Sequence, residues 1–263
     1  MSQETLYGFA ATGIVPLRKD ASDSSEMLTQ VLLGETVKIS ELTERWARVT
    51  CDYDGYEGWT NRQELEIFGG DTYHSWKQNS AKIRSPHFSF RMFRQPDDVV
   101  LVPPGASIVV EDDRIQLPNG IYHTKVNPVT LIEDEFLKTA KNFLGTPYLW
   151  GGRTDQGIDC SGFVQLVLSL HGMDIPRDSG KQHAFRKEKS KDIHDAEPGD
   201  LIYFNPSGDH ISHVGFYLGD GDLLHASGKV KINHIVSDME NPGNYPENKR
   251  LENSVFAVQT MFG

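Results

Sequence analysis

The sequence predicts an α+β protein in which two small all-β units precede a larger domain of helices packed on an antiparallel sheet. Three observations lead there. The first 128 residues are short β-branched or aromatic runs broken by turn residues, without helical periodicity. Between residues 131 and 170 lie two stretches whose apolar positions recur at helical spacing. From residue 200 onward the pattern returns to short strands around Gly-Asp turns. Helices followed by antiparallel strands is the order of an α+β domain. The expected divisions are 1–68, 69–128 and 129–263.

In the first unit, Gly13-Ile-Val-Pro-Leu-Arg, Val31-Leu-Leu-Gly-Glu-Thr-Val-Lys-Ile, Trp46-Ala-Arg-Val-Thr and Gly58-Trp59 read as strands, and Asp54-Gly55 as a hairpin turn. Strands this short and closely spaced suit a small barrel. The second unit echoes the first. Leu33-Gly34, Val37 and Ile39 return at one constant offset as Pro104-Gly105, Ile108 and Val110. This reads as a divergent duplication, with turns at Asp112-Asp113 and Pro118-Asn119-Gly120.

The second half opens with a helix over 131–144, its stripe made by Leu131, Phe136, Leu137, Ala140, Phe143 and Leu144, and stopped by Gly145. A turn-rich stretch, Thr146-Pro-Tyr-Leu-Trp-Gly-Gly-Arg, leads to Asp159 and a second apolar helix from Cys160 to Leu170. Ile175-Pro-Arg-Asp-Ser-Gly-Lys-Gln is a polar loop entering a short helix. Glu197-Pro-Gly-Asp200 is a turn. Leu201-Ile-Tyr-Phe, His213-Val-Gly-Phe-Tyr-Leu, Leu223-Leu-His-Ala and Ser254-Val-Phe-Ala-Val-Gln are strands.

Composition narrows the function. The chain has 263 residues, 38% of them hydrophobic, which suits a soluble globular protein. Its net charge of −11 argues against nucleic acid and against anionic membrane surfaces. Residues 1–8 show neither a basic nor an apolar export region, and no run approaches a membrane span. Two cysteines, Cys51 and Cys160, make no disulfide framework. The expectation is a cytoplasmic protein with reduced thiols.

The chemistry is expected at Cys160. Asp159 stands where an N-cap belongs, so Cys160 falls in the first helical turn, where free N–H groups and partial positive charge favour a thiolate. A cysteine there is also compatible with simple burial as a small hydrophobe. A thiol nucleophile needs a base and a group to orient it. Of ten histidines, His213 and His225 lie in strands of the C-terminal sheet. If their hairpin centres on Asp220 they share a face; a slip of one residue would part them. His210 competes as base from a loop. His171, His183, His194 and His234 stand in polar or turn context. A metal site would draw on His210, His213, His225 and Cys160 or Asp200, but the spacing fits no zinc pattern. No metal or cofactor is expected.

Five motifs in order carry a resemblance: Tyr148-Leu-Trp-Gly-Gly, Asp159-Cys-Ser-Gly-Phe-Val, Pro176-Arg-Asp-Ser179 with Gln182, Pro198-Gly-Asp-Leu, and His213-Val-Gly with His225-Ala. Over 131–263 the chain resembles the NlpC/p60 family of papain-like cysteine peptidases, and the units before it resemble bacterial SH3-like domains. The resemblance implies Cys160 as nucleophile, His213 as base and His225 as third member. It implies cleavage of peptidoglycan stem peptides at the γ-D-glutamyl–diamino acid bond, as in cytoplasmic family members that recycle wall fragments. It also implies a free N-terminal L-Ala held by Asp159, Tyr56 and Glu26, with the D-glutamate carboxylate received by Ser161 and Ser179.

Tyr148 is placed to donate to the oxyanion with the Cys160 N–H. Plainer roles stand beside these: Asp159 as helix cap, the serines as ordinary first-turn residues, Tyr148, Tyr56 and Trp59 as packing aromatics. Two other functions remain open, a non-catalytic binder of wall peptides and a papain-like amidase or acyltransferase on another substrate.

Overall fold

The structure, a computed structural model, describes residues 5–79, 81–86, 88–95, 97–126, 136–185, 190–235 and 254–261. The chain forms two compact units, Met1–Ile132 and Glu133–Gly263.

In the first unit, β1 (Leu6–Ala10), β2 (Ile14–Arg18), β3 (Met27–Leu32), β4 (Thr36–Leu42), β5 (Trp46–Cys51), β6 (Glu57–Asn61) and β7 (Leu65–Phe68) make one antiparallel sheet. Its order is β3-β2-β6-β5-β4-β1-β7. Helix α1 (Gly70–Gln78) follows. Then come β8 (Ile83–Arg84), β9 (Phe90–Gln95), β10 (Asp98–Val102), β11 (Ser107–Glu111), β12 (Arg114–Leu117) and β13 (Gly120–Thr124). Their order is β10-β9-β13-β12-β11-β8. With β8 in the place of β1, β9 of β2 and so on, the second sheet repeats the first, and β7 is the extra edge strand.

Leu33 and Gly34, which open the echoed stretch, are where the first sheet meets the second. Gly34 and Gly105 turn the chain at φ 75° and 83°, where a side chain is strained. At Gly34 a Cβ would also lie 1.9 Å from the Ser107 carbonyl oxygen. The Ser107 N–H donates to the Leu33 carbonyl at 2.8 Å. Leu33 is buried in the core of the second sheet with Met92, Val102, Ile108 and Ile115. Each such side chain contributes about 1.5–3 kcal/mol by leaving water. Helix α1 was not expected from the sequence. Only Tyr73 and Trp76, one helical turn apart, are buried, and the Trp76 ring N–H donates to the Gly34 carbonyl at 3.0 Å. Two inward residues are too few to raise a periodic signal.

In the second unit, helix α2 (Phe136–Lys141) keeps Ala140 and then Phe143 buried, while Leu144 is exposed. Residues 131–135 of the expected helix lie outside the described residues. The two-residue strands β14 (Arg153–Thr154) and β15 (Gly157–Ile158) form a small hairpin that leads into α3 (Cys160–Leu170) and, further on, α4 (Ser179–Phe185). The sheet consists of β16 (Leu201–Phe204), β17 (His213–Gly219), β18 (Asp222–Ser227), β19 (Lys229–His234) and β20 (Val255–Gln259), in the order β19-β18-β17-β16-β20.

Every residue of α3 is buried, including the polar Ser161, Gln165 and Ser169, which stand four apart along one side. It packs on β17 and β18, with the Phe163 ring edge-on to Phe216 at 5.6 Å and to Phe143 at 6.0 Å. That seat fixes the head of α3 against the start of β17. Strand β19 was not foreseen in the sequence. Its far edge is covered by the turn-rich stretch: Gly145 N–H donates to the Val230 carbonyl, Val230 N–H to that of Thr146, and Tyr148 N–H to that of Gly228. Tyr148 is thereby tied beside the sheet.

Candidate active site

Cys160 is the first residue of α3, and the Asp159 side chain caps the helix by accepting from the Gly162 N–H at 2.7 Å. The cap needs Gly162, because a Cβ there would come within 2.3 Å of the Gly152 carbonyl. Cys160 keeps 7% of its surface exposed. Burial, and then the negative charge of Asp159, push its thiol up to about 12, against the lowering effect of the Val214 and Ser161 backbone N–H groups. The Val214 contact places the sulfur beside the first residues of β17.

His213 opens β17. Burial pushes its imidazole down to about 3, and the neighbouring His225 adds to that shift. The helix head argued for a thiolate; burial shifts both Cys160 and His213 toward their uncharged forms. Iodoacetamide alkylation of Cys160 is therefore expected to accelerate about tenfold per pH unit between about pH 6 and 9, because only the thiolate reacts. A rate that is flat over that range would show a resting ion pair.

The two histidines share one face. Gly215 lies opposite His225, and the ladder through Phe216–Leu224 and Tyr217–Leu223 centres on Asp220. His213, two residues before Gly215, is thus a diagonal neighbour of His225. Its Nε2 lies 2.6 Å from His225 Nδ1, and the rings meet edge-to-face at 4.9 Å between centroids. Gly215 makes room for this, since a Cβ there would stand 2.8 Å from His225 Cβ. His225 is buried, and its Nε2 lies 2.8 Å from Asn233 Oδ1 on β19.

Behind Cys160 sits a buried ionic cluster that sequence reasoning missed. Arg177 donates through Nη1 to Asp159 Oδ1 at 2.8 Å and through Nη2 to Oδ2 at 2.5 Å. Its Nη1 also reaches Ser161 Oγ at 2.8 Å. Oδ2 further accepts from the Gly151 N–H at 2.8 Å, and Oδ1 from Ser161 Oγ at 3.2 Å. A carboxylate offers about four lone-pair sites, so Asp159 is filled by its own protein. The arginine stands in the Pro176-Arg-Asp-Ser motif; an isolated Arg in a loop gives no sign of being buried.

Tyr148 is half-buried, and its phenol is pushed up to about 12 by burial first and then by the neighbouring Cys160 and Asp159. It therefore stays a proton donor beside the sulfur. Ser179 starts α4 and donates to the Ile211 carbonyl at 3.4 Å. Tyr56 and Glu26 belong to the first unit. The Tyr56 ring packs on that unit's core and Glu26 is exposed.

His210 is exposed in a loop, and His194 lies in a short 3₁₀ turn. His171 bonds Thr139 Oγ1 at 2.9 Å, while His183 sits on α4 against Tyr203. His234 lies on β19 facing Asp222 rather than in a turn. Among the described residues, no three His, Cys, Asp or Glu side chains group as a metal site.

The NlpC/P60 family model matches residues 145–247, which hold Cys160, His213 and His225, and the model for the bacterial dipeptidyl-peptidase SH3 domain matches residues 17–65. The chain is 28% identical over 258 residues to a gamma-D-glutamyl-L-lysine dipeptidyl-peptidase of Bacillus cereus, covering 84% of this chain and 73% of that one. It is 28% identical over 244 residues to dipeptidyl-peptidase 6 of Lysinibacillus sphaericus, covering 83% and 87%. An NlpC/P60 family protein from Bacillus cereus has the same fold in its crystal structure, with a TM-score of 0.77 at 23% identity over 96% of this chain and 98% of that one.

Proposed function

The chain carries an NlpC/P60 domain behind a bacterial SH3 domain, and from that premise we propose that it is a cysteine peptidase acting on peptidoglycan stem peptides. The bond it cuts is the one between γ-D-glutamate and the diamino acid, in peptides with a free N-terminal L-Ala. The observation that supports this best is the arrangement at the sheet: His213 Nε2 is engaged by His225 at 2.6 Å, which leaves Nδ1 as the ring nitrogen for the Cys160 proton.

The reaction is acyl transfer. His213 Nδ1 takes the Cys160 proton as the sulfur bonds to the γ-carbonyl carbon. Because the resting pair is uncharged, this transfer accompanies attack. The Tyr148 hydroxyl and the Cys160 N–H donate to the resulting oxyanion. His213 then gives its proton to the leaving amine as the C–N bond breaks. Water, deprotonated by His213, attacks the thioester; the C–S bond breaks and the thiol is restored. No metal or cofactor enters.

Recognition of the substrate follows the resemblance and the relatives' names. Ser179 and Ser161 receive the D-glutamate carboxylate. Asp159 contributes negative charge toward the L-Ala ammonium rather than a free acceptor, because its oxygens are occupied. Recycling in the cytoplasm completes the reading. It is supported by Cys51 and Cys160, both buried and outside any disulfide.

The test is incubation of the purified protein with L-Ala-γ-D-Glu-L-Lys and with its N-acetylated form. Only the free-amine peptide is expected to release L-Ala-γ-D-Glu. Equal rates on both would defeat the amine requirement, and cleavage of neither would defeat the substrate assignment.

A further inference from the structure

Asn233 lies on β19 opposite Leu223, two residues beyond Lys231, which is paired with His225. It therefore shares the face that holds both imidazoles. It is 9% exposed, and its Oδ1 stands 2.8 Å from His225 Nε2. We propose that Asn233 is a positioning residue that fixes the proton arrangement of the whole site through His225. The proposal draws its catalytic meaning from the peptidase reading, although the arrangement itself can be observed without turnover.

A carboxamide oxygen can only accept a hydrogen bond. His225 must then carry its hydrogen on Nε2. A neutral His225 so fixed has its lone pair on Nδ1. That lone pair faces His213 Nε2 at 2.6 Å, so His213 must carry its hydrogen on Nε2 as well. The lone pair of His213 is thereby left on Nδ1, the only ring nitrogen from which it can act as a base on the thiol. One acceptor on β19 orders two rings in a single direction, and the opposite tautomer at His225 would set its Nε2 lone pair against those of the Asn233 oxygen.

The choice of an amide rather than a carboxylate has a consequence. A carboxylate at 233 would stabilise an imidazolium, whereas the amide leaves the pair of rings neutral. The charged and titratable groups that act on His213 are His225 on β18, Lys231 on β19 and Asp159 just before α3. Of these Lys231 and His225 disfavour a charge on His213 and Asp159 favours one. A neutral partner at 233 does not shift that balance toward the cation.

Histidine-selective ¹⁵N NMR on the wild-type protein without substrate tests this directly. His213 and His225 are both expected as neutral Nε2–H tautomers at about pH 7. A Nδ1–H tautomer at His225, or a charged His213, would overturn the proposal whether or not the protein cleaves peptides. In kinetics, Asn233→Leu is expected to lower kcat by about 10²-fold or more with KM nearly unchanged, since a wrong tautomer disables the base. Asn233→Asp, which keeps an acceptor, is expected to restore most of kcat and to move the acid limb of kcat/KM up by about one pH unit or more. Equal kcat losses in both variants, with an unmoved acid limb, would reduce Asn233 to a packing residue.

Discussion

Cys160→Ala is expected to lower hydrolysis of L-Ala-γ-D-Glu-L-Lys by at least about 10⁴-fold, because removal of a nucleophile leaves only the binding and oxyanion contributions. KM is expected to stay within a few-fold, since Tyr148, Ser179 and the ring pair are untouched. The fold should persist. The lost sulfur is comparable to one buried methylene, which costs about 0.8 kcal/mol. A progress curve at high enzyme concentration, with the melting temperature measured alongside, separates lost chemistry from lost structure.

Arg177→Met is expected to destabilise the protein by about 3–5 kcal/mol, the usual cost of leaving one member of a buried ion pair without its partner. Arg177 and Asp159 are 2% and 6% exposed, so water cannot replace the guanidinium. The same change releases Ser161 Oγ and the carboxylate that caps α3, so activity should fall with stability. The double variant Arg177→Met, Asp159→Asn is expected to lose less than Arg177→Met alone, since no orphaned charge remains and the amide oxygen still caps α3. Urea midpoints for the three proteins, with unchanged m-values, check this. A single variant as stable as the wild type would mean that the cluster is relaxed enough to admit solvent.

The site was legible where the sequence itself carries a period or a turn. The apolar spacing after Asp159 places Cys160 at a helix head, and the Gly-Asp-Gly-Asp turn at 219–222 sets the ladder that puts His213 and His225 on one face. The repeat of Leu33-Gly34 at Pro104-Gly105 foretold a duplication, which the common strand order of the two sheets displays.

What escaped was set by distant packing. Arg177 is a charged residue in a polar loop until α3 brings Asp159 against it. Asn233 belongs to a strand whose alternation, Val230, Lys231, Ile232, Asn233, is short and half polar, with Ile232 exposed. The protonation of the site depends on packing for a related reason. A helix head and nearby imidazoles argue for a thiolate, but burial opposes charge on both partners, and burial is a property of the fold rather than of the neighbouring residues in the chain.

Rapid acid quenching during a single turnover, followed by mass analysis of the peptide that contains residue 160, bears most directly on the chemistry. An L-Ala-γ-D-glutamyl group should appear on the Cys160 sulfur and decay as free dipeptide accumulates. Dipeptide release with residue 160 never acylated, and persisting in Cys160→Ala, would contradict the mechanism.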